Sequence, residues 1–178
     1  MIFLKTLLAL TLFQTALHAG VADSSTSGFT IKITVDIQAS ATEVYRKFVQ
    51  NIGDWWSSSH SWSGDAHNLT IDPKPMGCFC EKLPNGGGVK HMEVVTAMPG
   101  KLLVMKGELG PMQAMAAAGS MQVQFNAVEG GTKLVLSYAV AGYMPGGIGA
   151  IAPKVDEVLM EQVDRFKNYV EKKDPVAK

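Results

Sequence analysis

The sequence predicts an α+β fold in which a curved antiparallel sheet of about six to seven strands surrounds one long C-terminal helix. Most of the chain after residue 28 alternates apolar and polar residues with a period of two, which is typical of strands with one buried face. The last part of the chain instead repeats apolar residues every three or four positions, which is typical of an amphipathic helix. Runs of hairpins with helices at the ends favour a layered α+β arrangement in one domain.

The composition is that of an ordinary globular protein. The 178 residues are enough for one domain with a hydrophobic core. The chain is 47% hydrophobic and 18% charged, and its 16 basic residues balance 16 acidic ones. A neutral chain offers no electrostatic surface to nucleic acid, so we expect no nucleic-acid partner.

Residues 1–22 have the layout of a secretory signal peptide. Lys5 precedes a largely apolar run, and small residues follow at Ala19, Gly20 and Ala22. The apolar run is too short and too poorly flanked for a stable membrane span. We therefore expect cleavage after Ala19 or Ala22, no membrane span in the mature protein, and a secreted or periplasmic location.

The first elements of the domain follow a polar leader at residues 23–28, which we expect to be loose. Strict alternation over residues 29–37 predicts a half-buried strand. The sequence Ser40-Ala-Thr-Glu43 is a capping box and predicts a helix over residues 41–50, with Gly53 as its stop. A short helical turn is expected at the tryptophans that follow, and then a loop.

Further strands complete the predicted sheet. Glycine-rich turns separate them, and residues 110–119 are expected to form a loop or short helix. The predicted strands are 69–71, 78–83, 89–96, 102–108, 121–126 and 134–140. The final helix is predicted over residues 153–173, since Pro153 suits the first helical position and Pro175 stops the helix.

In this order, the elements resemble the helix-grip fold of START-like lipid-transfer domains, polyketide cyclases and ATPase-activator-like proteins. The matching residues are Thr42-Glu43-Val44-Tyr45 at the start of the first helix, Gly53-Asp54-Trp55-Trp56 after it, and the final helix. The predicted START-like domain spans residues 29–173. The resemblance implies a cavity between sheet and C-terminal helix that holds an apolar ligand, and the signal peptide argues against a cytosolic chaperone-ATPase role.

We therefore expect an exported protein that binds a small hydrophobic molecule and needs no metal or other cofactor. Residues 55–68 hold all three tryptophans and two histidines, and such aromatic faces with polar neighbours suit a pocket mouth. The apolar lining is predicted at Trp56, Trp62, Phe79, Met92, Tyr138 and Tyr143. The polar groups that orient the ligand are predicted at His60, Asp65 and His91.

One alternative is an enzyme of the cyclase or dehydratase type. In this reading His60 or His91 acts as a general base in the same cavity. A carboxylate at Asp65 or Glu93 would lie beside the imidazole. The sequence contains no convincing catalytic set, so we assign no catalytic residue.

A second alternative is a metal or redox protein that uses Cys78, Cys80 and His91. Residues two apart on a strand face the same side, so pairing Cys80 with His91 would place thiols and imidazole on one surface. Thiolate and imidazole are suitable ligands for zinc or copper. A bridge between Cys78 and Cys80 would close a very tight ring, so we do not expect an intramolecular disulfide.

Overall fold

The computed structural model describes residues 18–177, which form one eight-stranded antiparallel sheet and three α-helices. The predicted α+β helix-grip fold is confirmed, with slightly more strands than expected. The strands are β1 (His18–Ser25), β2 (Gly28–Ile37), β3 (Leu69–Ile71), β4 (Cys78–Lys82), β5 (Gly88–Met98), β6 (Leu102–Lys106), β7 (Ala116–Val128) and β8 (Gly131–Tyr143). The helices are α1 (Ala41–Gln50), α2 (Ile52–Trp55) and α3 (Ala152–Lys172). The strand order across the sheet is β1-β2-β8-β7-β6-β5-β4-β3.

The long strands β2, β7 and β8 pair in unbroken register. Pairing runs from Gly28 opposite Ala141 to Ile37 opposite Thr132, and β7 pairs with β8 over their whole lengths. The alternation predicted for β2 is confirmed, because every second residue from Phe29 to Ile37 is buried in the core. Strict alternation gives this half of the sheet one continuous apolar inner face.

The strands β3 to β6 are shorter or less regular. The pairing of β4 with β5 shifts between Phe79, which lies opposite Met92, and Cys80, which lies opposite Lys90. His91 is therefore the extra residue of a β-bulge, and a bulge re-aims a side chain. His91 and Met92 are both buried as a result, although they are adjacent in sequence.

The helices pack on the inner face of the sheet. The Oγ of Ser40 accepts a hydrogen bond from the Glu43 amide, so the predicted cap of α1 is confirmed. Gly53 does not stop α1 but lies within α2, where a Cβ would meet the backbone of Ala66 and His67 at about 3 Å. The glycine thus allows α2 to pack closely on the turn that precedes β3.

The second half of α3 covers an aromatic core. Phe166 is fully buried and its ring lies 5.2 Å from that of Phe48 and 5.0 Å from that of Trp55. The Arg165 side chain donates to the carbonyl of Trp55 and ties α2 to the helix. No helix among residues 18–177 is long and apolar enough to cross a membrane.

Two local expectations are wrong. Residues 23–25, predicted as loose leader, belong to the edge strand β1. Of residues 110–119, predicted as a loop or short helix, Gly110–Ala114 do form a short 3₁₀ helix, whereas 116–119 belong to β7. Both pair through main-chain groups, and pairing of this kind needs no apolar alternation in the side chains. Residues 1–17 of the predicted signal peptide lie outside the described part of the chain.

Candidate functional site

A cavity of about 490 Å³ lies at one end of the space between sheet and α3. Three parts of the chain close it over the inner face of β4 and β5. They are the first turns of α3, the tryptophan segment (residues 56–68) and the 109–115 loop. Apolar side chains that form its walls are Trp56, Leu69, Phe79, Leu109, Met112, Val155, Val158 and Leu159.

A buried pair of polar side chains, Glu81 and His91, adjoins this apolar cavity. Glu81 is 2% exposed and His91 is 5% exposed, and Glu81 Oε2 lies 2.9 Å from His91 Nε2. Glu81 points inward because it is two residues from Phe79 on the same strand face, and His91 points inward because of the bulge. His91 is among the residues that line the cavity.

The tryptophan segment supplies the remaining partners of the carboxylate. The amide of Trp62 donates to Glu81 Oε2 at 3.0 Å, and the amide of Ser63 donates to Oε1 at 2.5 Å. A buried carboxylate with several donors is stable in the charged form. Glu81 therefore holds both the imidazole and the turn at residues 62–63 in place.

The environment favours an ionised Glu81 beside a neutral His91. Burial alone would raise the pKa of Glu81, but hydrogen bonds from Ser63, Trp62 and His91 outweigh it and hold that pKa below its ordinary value. Burial lowers the pKa of His91, and the nearby Glu81 only partly opposes this. At neutral pH the pair is then a carboxylate hydrogen-bonded to an uncharged imidazole.

Aromatic rings surround the imidazole. The Phe79 ring centroid lies 4.8 Å from that of His91, and Trp56 packs on Phe79 at 5.5 Å. The indole Nε1–H of Trp56 donates to the carbonyl of His60 at 3.0 Å, so no free donor of Trp56 points into the cavity. His91 therefore supplies a buried polar contact beside the apolar surface of Trp56 and Phe79, while the other polar lining residues, Ser59, His60, Ser61 and Lys154, lie in the tryptophan segment and on α3.

The mouth of the cavity is tied to α3 by polar contacts. His60 Nε2 lies 2.9 Å from a carboxylate oxygen of Glu161, and Gln162 Oε1 accepts from the amide of Ser57 at 2.8 Å. Trp62 lies at the edge of the cavity and is 56% exposed. The tryptophan segment is thus a cover that rests on the helix.

Five of the nine residues predicted to contact a ligand line this cavity: Trp56, His60, Trp62, Phe79 and His91. The other four do not. Asp65 is exposed and caps the turn at residues 66–68, where it accepts from the His67 amide. Met92 is fully buried in the core, and Tyr143, at the end of β8, is 71% exposed.

Tyr138 does not line the cavity, and its hydroxyl makes hydrogen bonds with the backbone. Its hydroxyl donates to the carbonyl of Gly107 and accepts from the amide of Leu109. Burial raises the pKa of Tyr138, so the phenol stays protonated. The residue therefore fixes the start of the 109–115 loop, which forms one wall of the cavity.

The predicted cluster of thiols and imidazole does not form. Cys78 and Cys80 are joined by a disulfide with a Cα–Cα distance of 5.4 Å, which lies within the ordinary range for such bridges. The expectation of no bridge is wrong, because both side chains leave the same strand face at bonding distance. The bulge turns His91 to the opposite face, and residues 18–177 contain no group of three His, Cys, Asp or Glu residues that could hold a metal ion.

The roles of Glu81 and of the 109–115 loop in the cavity were not predicted from the sequence. A signal for Glu81 exists, since it lies in phase with Phe79 on the inward face of a strand where a charge is unexpected. The partner of His91 is thus Glu81, and not Asp65 or Glu93 as the enzyme alternative required. The loop has no periodic pattern, so only the fold brings it to the cavity.

Comparison with known proteins identifies the fold. Neither a protein-family model nor a curated protein matches the sequence. A solved structure of an uncharacterized protein from Rhizobium leguminosarum is 18% identical in sequence, has a TM-score of 0.58, and matches 86% of this chain and 99% of its own. CalU16 from Micromonospora echinospora is 14% identical, has a TM-score of 0.54, and matches 88% of this chain and 84% of its own. Aha1 from Colwellia psychrerythraea is 15% identical, has a TM-score of 0.51, and matches 80% of this chain and 96% of its own. At these identities the likeness shows the shared helix-grip fold alone.

Proposed function

We propose that this protein binds a small hydrophobic molecule in the cavity between the sheet and the first turns of α3. The observation that carries the proposal is a cavity of about 490 Å³ with largely apolar walls and a buried polar pair. Ligand pockets are commonly of this size and have a few placed polar groups in an apolar lining. The neighbouring interior is filled by aromatic side chains, so the cavity is a local feature of one end of the fold.

We also propose that the protein works outside the cytoplasm, in a secreted or periplasmic setting. The signal-peptide pattern of residues 1–22 supports this location. The Cys78–Cys80 disulfide supports it independently, because disulfides persist in oxidising compartments.

A second candidate function is an enzyme that uses His91 as a general base. The observation that favours it is the pairing of the imidazole with Glu81, since a carboxylate that orients an imidazole is a common arrangement in acid–base catalysis. A substrate in the cavity would then lose a proton to His91. Binding remains the first proposal because the cavity alone supports it.

Binding of pyrene, a hydrocarbon with no hydrogen-bonding group, tests the first proposal. Pyrene fluorescence reports transfer from water to an apolar site, and we expect saturable binding to the chain from which the predicted signal peptide has been removed. Val155→Trp places a large side chain in the cavity wall and should weaken binding by roughly tenfold, equivalent to about 1.4 kcal/mol.

The matched control is Glu157→Trp, which adds the same side chain at an exposed position on the same helix turn outside the cavity wall. It should bind pyrene as the parent protein does. Equal binding by both variants, or no saturable binding by the parent protein, would contradict the proposed function.

A further inference from the structure

Glu81 determines which hydrogen-bonding role His91 offers to the cavity. We propose that this pair selects ligands that present a hydrogen-bond donor, such as a hydroxyl or phenol group on an apolar body, and disfavours ketones and carboxylates. This inference rests on the proposed binding function and names the class of ligand for the same cavity.

The first step concerns the contacts of Glu81. Both of its oxygens accept from main-chain amides, those of Trp62 and Ser63. A backbone amide can only donate, so these contacts favour the ionised, acceptor-only form of the carboxylate. The third contact, at 2.9 Å, is with His91 Nε2, which must therefore carry the proton and donate it.

The second step concerns the imidazole. A neutral imidazole has one N–H donor and one lone-pair acceptor, and the donor is already used on Glu81. The acceptor is then Nδ1, and among residues 18–177 the hydrogen bond of this ring is the one that Nε2 makes with Glu81. Since His91 lines the cavity, Nδ1 is the atom left to meet a ligand.

The third step concerns the ligand groups that can form a hydrogen bond with Nδ1. A hydroxyl or phenol can donate to the lone pair, whereas a ketone oxygen would face it with another lone pair. A carboxylate ligand would also be repelled by the nearby charge of Glu81 in a site of low polarity. The lysine in the lining, Lys154, has a 72% exposed side chain and is paired with Glu157, so it does not neutralise the interior.

Three naphthalenes with the same ring system test this selection: 2-naphthol, 2-acetonaphthone and 2-naphthoate. Each is used at neutral pH to displace pyrene from the chain from which the predicted signal peptide has been removed. A ligand that covers Nδ1 without donating to it leaves this acceptor unpaired, so naphthol should bind roughly 10- to 100-fold more tightly than the ketone or the carboxylate, equivalent to about 1.4–2.8 kcal/mol.

The variant His91→Phe should abolish this order while it keeps an aromatic ring beside Phe79. We expect it to bind pyrene, to bind naphthol and acetonaphthone about equally, and to lose no affinity for the ketone. Glu81→Gln is the second variant. Its amide group can donate to Nε2 and leave a proton on Nδ1, so we expect it to reduce or invert the preference for naphthol over the ketone.

A direct readout that needs no variant is the ¹⁵N chemical shift of the His91 ring in the parent protein. A protonated Nε2 and an unprotonated Nδ1 at neutral pH are expected, and a protonated Nδ1 would overturn the inference. Pyrene binding together with equal affinity for the three naphthalenes would also overturn it, while the cavity proposal would survive. Absence of pyrene binding would instead contradict the cavity proposal itself.

Discussion

The interface between the sheet and α3 is closely packed in one half of this molecule and contains a cavity in the other. In the packed half, β2, β7 and β8 keep an unbroken register and the end of α3 lies on the aromatic cluster around Phe166. In the cavity half, β4 and β5 contain a bulge and the start of α3 leaves a space of about 490 Å³. In the packed half, the regular alternation of apolar and polar residues directs apolar side chains into the interior. In the cavity half, the bulge directs His91 inward to pair with Glu81, and a space remains that another molecule could occupy.

The difference shows where stability and binding reside. Close packing in the packed half stabilises the fold, because apolar area is removed from water there. The polar pair Glu81–His91 adds little net stability but is costly to break, since each partner is buried. Substitutions in the two halves should therefore have different consequences for folding and for ligand affinity.

The largest expected effect is the loss of an aromatic ring from the packed half. Phe166→Ala should lower the free energy of unfolding by about 3–5 kcal/mol, because it leaves a void among Phe48 and Trp55. Val155→Ala, on the cavity wall of the same helix, should cost less than about 1 kcal/mol, because Val155 is only half-buried and already borders empty space. Urea unfolding measures the free energy of unfolding of both variants. Equal losses of stability would contradict the proposed difference between the packed half and the cavity half.

A smaller effect is expected from breaking the polar pair. Glu81→Ala leaves the amides of Trp62 and Ser63 and one imidazole nitrogen without their acceptor, which should cost about 2–3 kcal/mol. The matched control Glu161→Ala removes a carboxylate from an imidazole at a partly exposed site and should cost under about 1 kcal/mol. Thermal unfolding of the two variants under one buffer compares them, and a larger loss for Glu161→Ala would contradict the assignment of Glu81 as the buried support.

The sequence predicts the packed half better than the cavity half for a physical reason. The alternation over residues 29–37 and the capping box at Ser40 act locally, so their structure follows from neighbouring residues. The bulge at His91 depends on pairing between two strands, and a shift of one residue moves a side chain to the other face. Glu81 meets residues 62–63 through tertiary contacts that no local pattern encodes, and the edge strand β1 forms through main-chain pairing.

The pH dependence of stability should reveal the buried pair. Burial lowers the pKa of His91 below its ordinary value of 6.5, so the unfolded chain takes up this proton at higher pH than the folded protein does. Stability should therefore begin to fall as the pH drops below about 6.5 and continue to fall until the pH passes the lowered pKa of the folded state. The pKa of Glu81 is also lowered, from 4.5, so it should add a second loss at more acid pH in the same direction.

Urea unfolding across this pH range checks the sign of the effect. In His91→Phe the loss that begins near pH 6.5 should be reduced, whereas the more acid loss from Glu81 should remain. A parent stability that rises as the pH falls from 6.5, with the rise lost in His91→Phe, would show that His91 is charged in the fold.

The smallest effect on stability is expected at the mouth of the cavity, where it should appear in kinetics instead. The pair between His60 and Glu161 is partly exposed, so Glu161→Gln should change stability by less than about 1 kcal/mol. The same pair joins the tryptophan segment to α3, and weakening it should let that cover open more often and release pyrene faster in stopped-flow experiments. Glu157→Gln removes the same charge from an exposed pair with Lys154 on the same helix and should leave the release rate unchanged. Identical release rates for the two variants would mean that the His60–Glu161 pair does not control access to the cavity.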